Sequence, residues 1–156
     1  MKPRPSPLKI YPEEKLIDCY VSWIKSPSEF YIHLRDEKSS LLEPLRDRLN
    51  ALYHNSRMVR NLKPEIGSYW VIQESRPSHL KYWSRVKILS AMPNGANKNV
   101  NDGHTVYKVF LVDWGNVELV YISQLRPLVK EILDIPCLAI RCRLDGIFPI
   151  DAVAVC

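Results

Sequence analysis

The sequence is poor in glycine. Five glycines beside twelve prolines exclude a collagen-like repeat and a glycine-rich low-complexity chain. Cysteine is sparse: four residues, at 19, 137, 142 and 156, with no C-x-x-C pair and no H-x3–5-H tract beside them. That spacing speaks against a structural zinc site, and so low a count is thin for a small secreted domain stapled by disulfides. The thiols read instead as small apolar side chains buried in a reducing compartment. No run approaches the roughly 18 apolar residues of a membrane span. The start, Met1-Lys2-Pro3-Arg4-Pro5-Ser6-Pro7, lacks the apolar stretch of a signal peptide. A soluble, cytoplasmic chain is therefore expected. The carboxylates are scattered, so no cluster for a metal stands out, and no Ser/His/Asp or Cys/His group is evident. The histidines, at 33, 54, 79 and 104, fall in unrelated segments. No enzyme, metal or cofactor is expected.

What the sequence does have is core material. Hydrophobic residues make up 46% and aromatics 10%, four of the latter being Trp, which suits a globular chain and not a disordered one. The 156 residues allow one compact domain, or two small ones sharing a core. Net charge is +5, from 22 Lys and Arg against 17 Asp and Glu. That excess permits an RNA or phosphate partner without demanding one.

Patterning divides the chain. Residues 1–14 form a proline-rich extended arm. From Leu16 to Ile24 apolar residues fall on both parities, predicting a strand with at least one buried face. Ser26-Pro27-Ser28 reads as a turn, and Phe30–Leu34 as the returning strand of a hairpin. Leu41, Leu42, Leu45, Leu49, Leu52 and Tyr53 then recur at helical steps, with Ser39 or Ser40 as N-cap. After Pro64 and Gly67 the β pattern returns, with strands at Tyr69–Glu74, Lys81–Ser90, Val106–Asp113 and Val117–Tyr121. The third of these ends in the tight turn Trp114-Gly115-Asn116. Four strands joined by turns suggest a small, strongly bent barrel. In the tail, Leu138, Ile140, Cys142 and Leu144 would face a core, with Arg141 and Arg143 facing water. The apolar end, Ala152-Val153-Ala154-Val155-Cys156, reads as a last strand or as an artificial boundary, with the final strands incomplete or exchanged. The fold class is thus mainly β with one long helix. Strands on both sides of an inserted barrel are expected to pair into a second subdomain.

Four separated segments carry a resemblance. Phe110-Leu-Val-Asp113-Trp114-Gly115-Asn116 followed by Leu125-Arg126-Pro127-Leu128 resembles the V-x-F-x-D-Y-G-N…L-R-P-L signature of Tudor domains. Gly67…Tyr82-Trp83-Ser84-Arg85-Val86 resembles their G…W-Y-R-A segment. Val21–Leu34 and Ile135–Ile147 resemble the first hairpin and the return segment of the extended Tudor domain. The likeness spans about residues 15–148, in order and in spacing. It implies a Tudor (SH3-like) barrel at 64–128 inserted in an OB-like, staphylococcal-nuclease-like subdomain built from 15–63 and 129–156. It also implies a binding module for arginine-containing, often symmetrically dimethylated, tails of Piwi-clade Argonaute proteins. Such modules work in germline piRNA silencing, in perinuclear cytoplasmic granules (nuage).

The resemblance places the peptide site on Glu74, Ser84, Leu111, Asp113, Trp114 and Asn116. Trp114 supplies the turn aromatic and Asn116 the guanidinium-binding amide. Glu74, Ser84 and Leu111 stand where the family has aromatics, so three of the four cage walls are not aromatic. At roughly 0.5–2 kcal/mol per cation–π face, that loss forfeits most of a preference for methylarginine. Glu74 and Asn116 would hydrogen-bond an unmethylated guanidinium instead, or a groove between barrel and subdomain would read the peptide backbone and shape. Methylation-independent binding is the expectation. Plainer roles are weighed alongside: Trp114 capping the barrel, Asn116 shaping its turn, Glu74 and Ser84 as surface, Asp113 bonding turn amides, and Trp23, Trp70 and Trp83 as core. A further alternative is RNA on a basic aromatic face of Arg57, Arg60, Lys63, Arg76, Lys81, Tyr82, Trp83, Arg85 and Lys87. The last is docking of a folded granule protein elsewhere. A reader of arginine tails is expected to keep its groove neutral or acidic.

Overall fold

A computed structural model describes residues 5, 16–35, 41–59, 62–74, 82–92 and 105–146. Eight strands and two helices follow in order: β1 Cys19–Ser26, β2 Glu29–Leu34, α1 Leu42–Tyr53, β3 Tyr69–Gln73, β4 Trp83–Met92, β5 Val106–Leu111, β6 Val117–Tyr121, β7 Leu125–Pro127, α2 Lys130–Leu133 and β8 Ile140–Cys142. A single 3-10 turn, Ile122–Gln124, joins β6 to β7.

Alternating side chains build the barrel. Five antiparallel strands stand in the order β6-β5-β4-β3-β7. Val86, Ile88, Val109, Leu111 and Leu125 point inward and make the first core. The register of β4 on β5 slips between Ile88 and Ser90, a bulge of the kind that bends a long strand. On the outer side, Val71 of β3 and Trp83 of β4 meet Leu45, Leu49 and Tyr53 of α1, with Ile132 of α2, in a second core. The buried stripe of α1 is narrower than its sequence suggests: Leu41 and Leu52 are exposed. Leu41 stands at the helix N-cap and makes no side-chain cap bond, while Ser39 and Ser40 lie outside the described residues.

The remaining strands form a sheet of order β1-β2-β8. Phe30 pairs with Cys142 and Ile32 with Ile140, so segments on either side of the barrel in sequence are joined by hydrogen bonds. Two expectations change here. β1 begins at Cys19, and its side chains are largely exposed: Trp23, expected in a core, is 46% exposed, and Cys19 is a free, exposed thiol. The reason is position, because β1 is the edge strand of its sheet and pairs with β2 alone among the described strands. Leu144 lies beyond the end of β8 at Cys142 and is also exposed, although its N–H still bonds Pro27 O at 2.9 Å. The expected C-terminal strand at 152–156, the loops at 76–79 and 93–104, and most of the N-terminal arm lie outside the described residues. No described helix is long and apolar enough to cross a membrane.

Candidate functional site

The site is built on the turn between β5 and β6. Leu111 N–H bonds Asn116 O at 2.9 Å and Gly115 N–H bonds Leu111 O at 2.8 Å, closing the turn. Gly115 takes φ +95°, a left-handed value that glycine adopts without strain. A Cβ there would run into the Tyr31 ring of β2. The hairpin also braces the turn from behind. Ser22 Oγ donates to Trp114 O at 2.8 Å. His33 Nε2 lies 2.5 Å from Asp113 O, an acceptor, so this nitrogen carries the proton. In the neutral ring, Nδ1 then accepts from Tyr20 OH at 2.8 Å. The His33 and Trp114 rings sit 5.5 Å apart, so Trp114 is held on one side by β2.

Beneath the turn lies an ion pair. Arg85, 0% exposed, donates from Nε and from a terminal nitrogen to the two oxygens of Asp113, at 2.9 and 2.5 Å. Its other donors reach the carbonyls of Ile132, Ile135 and Pro136 at 3.0, 2.6 and 2.7 Å. Asp113 Oδ1 also takes Leu138 N–H at 3.1 Å. Asp113 is therefore structural, and its partners are Arg85 and Leu138 rather than the turn amides expected. Burial, with Asp113 nearby, pushes the neighbouring Cys137 thiol up. Arg85 does not join the exposed basic face expected of it but spans the interior, because its guanidinium finds a carboxylate and three carbonyls there.

Of the six expected site residues, three converge. Glu74, Ser84 and Trp114 line one small cleft of about 30 Å3 together with Arg46, Tyr82 and Trp83. Ser84 Oγ donates to Glu74 Oε1. Glu74 N–H bonds Tyr82 O at 2.8 Å, which keeps the end of β3 beside the start of β4. The other three do not join them. Leu111 is 1% exposed and belongs to the barrel core, because β5 turns this side chain inward. Asp113 is buried in its ion pair. Asn116 spends its amide on Glu118 Oε1 at 2.9 Å, at the start of β6. Three lining residues were not among the expected site. Tyr82 had a signal, since it shares the strand parity of Ser84. Trp83 was read as core, and it is buried while touching the cleft. Arg46 had none, because it comes from a helix far away in sequence. Its guanidinium lies 4.7 Å from the Tyr82 ring centroid. Among the described residues the cleft thus carries one cation and one anion, a lining of zero net charge, within the neutral or acidic range expected.

Two sheets, one of them a small antiparallel barrel on which the long helix packs, define the class as mainly β. The chain belongs to the Tudor domain family, whose model it matches over residues 11–146. It is 30% identical over 136 residues to human Tudor domain-containing protein 1, covering 86% of this chain but 10% of that protein. The chain thus spans only about a tenth of the length of that relative. Among solved structures it is similar to the third extended Tudor domain of mouse TDRD1, solved with a MILI peptide containing dimethylarginine, with TM-score 0.77 and 26% identity over 94% of this chain and 67% of that one. It also shares its fold with a Drosophila melanogaster Papi extended Tudor domain variant solved with an unmethylated Piwi N-terminal peptide, at TM-score 0.70 and 22% identity over 83% of this chain and 58% of that one.

Proposed function

We propose that this chain is a non-catalytic reader of an arginine-containing segment from a Piwi/Argonaute-type partner, binding largely without regard to arginine methylation. One observation carries the reading: Glu74, Ser84 and Trp114 line one cleft, so a carboxylate, a hydroxyl and an indole stand together. A carboxylate pairs with a guanidinium through parallel N–H···O bonds, and its two oxygens offer about four acceptor sites. Dimethylation removes N–H donors while keeping the charge. The gain on the partly buried Trp114 face, about 0.5–1 kcal/mol, is then offset by the donors lost at Glu74. Relatives of the same fold are seen with methylated and with unmethylated peptides, which fits such a division.

We further read residues 15–63 and 129–156 as one OB-like (staphylococcal-nuclease-like) subdomain around a barrel at 64–128, after an arm at 1–14; the β2–β8 pairing supports this. Residence in perinuclear germ granules and a role in piRNA silencing belong to the same proposal. The RNA alternative is weakened, because Arg85 and Trp83 are buried.

Calorimetry with one arginine-containing peptide, unmodified and symmetrically dimethylated, tests the reading. The two affinities are expected within about threefold, and Trp114→Ala should weaken both. Methylated peptide binding tenfold tighter, or no binding of either form, refutes it. Partner binding that survives Trp114→Ala unchanged would favour a folded protein docking on another face.

A further inference from the structure

The two described sheets end in β1, β8, β6 and β7, and three of these edges are blunted. β1 carries two register irregularities against β2, at Val21/Trp23 and at Ile24/Ser26. β7 and β8 are three residues each, and β7 ends in Pro127. Bulges, short lengths and prolines all keep a foreign strand from pairing. β6 has none of them. It runs for five residues, Val117–Tyr121, in unbroken register on β5, and holds no proline or lysine.

The ladder decides what that edge offers. Leu111 N–H bonds Asn116 O, and Ile122 N–H bonds Thr105 O. Hydrogen-bonded and non-hydrogen-bonded pairs alternate in an antiparallel ladder, so Glu118 and Val120 bond β5 in the same way. The N–H and C=O of Val117 and Leu119 therefore point away from β5, to the open side. Tyr121 N–H is turned the same way and is taken by Gln124 Oε1 at 2.9 Å, which closes the far end. The side chains of Val117, Leu119 and Tyr121 share the outer face and are 45, 63 and 52% exposed. Lys108 of β5 stands opposite Leu119 on that face and is exposed. The ion pairs among the described residues leave it out. β6 brings it no carboxylate either: Glu118 has the opposite parity and accepts from Asn116 Nδ2 at 2.9 Å.

We propose that the open edge of β6 is a docking site for an extended segment of a partner protein, acidic and apolar at alternate positions, which joins the sheet as an added strand. The main-chain groups of Val117 and Leu119 bond the segment, its apolar side chains lie beside those of Val117, Leu119 and Tyr121, and its carboxylates answer Lys108. Charge decides the occupant. A second copy of β6 would bring another Lys108 to the shared face and no carboxylate, whereas an acidic strand supplies the missing anion. The chain's net charge of +5 favours the same partner on approach. None of the cleft residues takes part, so the site stands apart from the reader function.

Amide hydrogen exchange by NMR on the full chain tests this, with the peptide Ac-Glu-Val-Asp-Val-Glu-Val-Asp-NH2 as probe. In the free chain the Val117 and Leu119 amides should exchange faster than those of Glu118 and Val120, which bond β5. Saturating peptide should slow Val117 and Leu119 by about tenfold or more. Lys108→Glu should weaken the peptide by about fivefold, and the counterpart with Lys at every acidic position should not bind. Leu119→Pro removes an N–H that the β5 ladder does not use, so the chain should keep its far-UV spectrum and lose the peptide. Should that variant unfold, a probe N-methylated at alternate amides tests the main-chain bonds on the unaltered chain and should not bind. Three results overturn the proposal: no protection at Val117 and Leu119, equal binding of the N-methylated probe, or equal binding of the Lys counterpart. Protection of the same amides without peptide, rising with chain concentration alongside a dimer in sedimentation, also overturns it and makes a second copy the occupant.

Discussion

Replacing Asp113 should cost this chain more than any other single carboxylate among the described residues. The Arg85 guanidinium beneath it uses all five donors, two on Asp113 and three on carbonyls between 132 and 136, and none reaches water. An arginine cannot shed its proton to escape a buried site. Asp113→Ala therefore leaves an uncompensated buried cation and an unpaired Leu138 N–H. Removing one partner of such a pair costs roughly 3–5 kcal/mol, a large share of a total stability of about 5–15 kcal/mol. Asp113→Asn keeps an acceptor for Leu138 and should cost about 1 kcal/mol less. Urea unfolding followed by Trp fluorescence reads the effect. With a slope of about 2 kcal/mol per M, the Asp113→Ala midpoint should fall by about 1.5–2.5 M at unchanged slope. The double variant Arg85→Met/Asp113→Leu should be less destabilised than the sum of its singles by about 2 kcal/mol. A midpoint shift under about 0.3 M for Asp113→Ala, or additivity in the cycle, would refute the view that this pair ties the 132–138 segment to the barrel.

Three further outcomes are expected. Gly115→Ala should cost about 3 kcal/mol in the same assay, since it adds left-handed strain to a collision with Tyr31; a loss under 1 kcal/mol would mean the turn is looser than φ +95° implies. Leu49→Ala, at the centre of the second core, should cost about 2–5 kcal/mol, and a melting temperature within two degrees of wild type would show that α1 does not anchor the barrel. Burial pushes the Tyr53 phenol up from 10.0, and Tyr20, Tyr31 and Tyr107 likewise. The folded chain then keeps these protons longer than the unfolded one, so stability is full below about pH 10 and falls as pH rises through the folded values. Tyr53→Phe should flatten that fall while losing about 1 kcal/mol at neutral pH from the bonds to Pro127 O and Val129 N; an unchanged alkaline slope would count against it.

Local patterning made much of the architecture legible. The Ser26-Pro27-Ser28 turn, the helix ending at Tyr53, and the Trp114-Gly115-Asn116 turn stand where period and turn chemistry placed them. These features depend on neighbours a few residues apart, so the sequence determines them alone. The site was only half legible. Glu74, Ser84 and Trp114 could be named because they sit on the barrel's own strands and turn. Leu111 does not reach the cleft, because strand parity on β5 turns its side chain to the core.

Tertiary structure alone decided the rest. Arg85 and Asp113 are 28 residues apart, and nothing in their local pattern marks them as partners. Whether a charged side chain is solvated or spans the interior depends on which carboxylate and carbonyls meet it there. The exposure of Trp23 follows from β1 lying at a sheet edge, a fact about pairing rather than composition. Arg46 is the clearest case. Its helix could be read residue by residue, but its place over Tyr82 arises only when α1 packs on β4. The sequence determined a small β barrel, and packing alone set the Arg46 guanidinium against the Tyr82 ring.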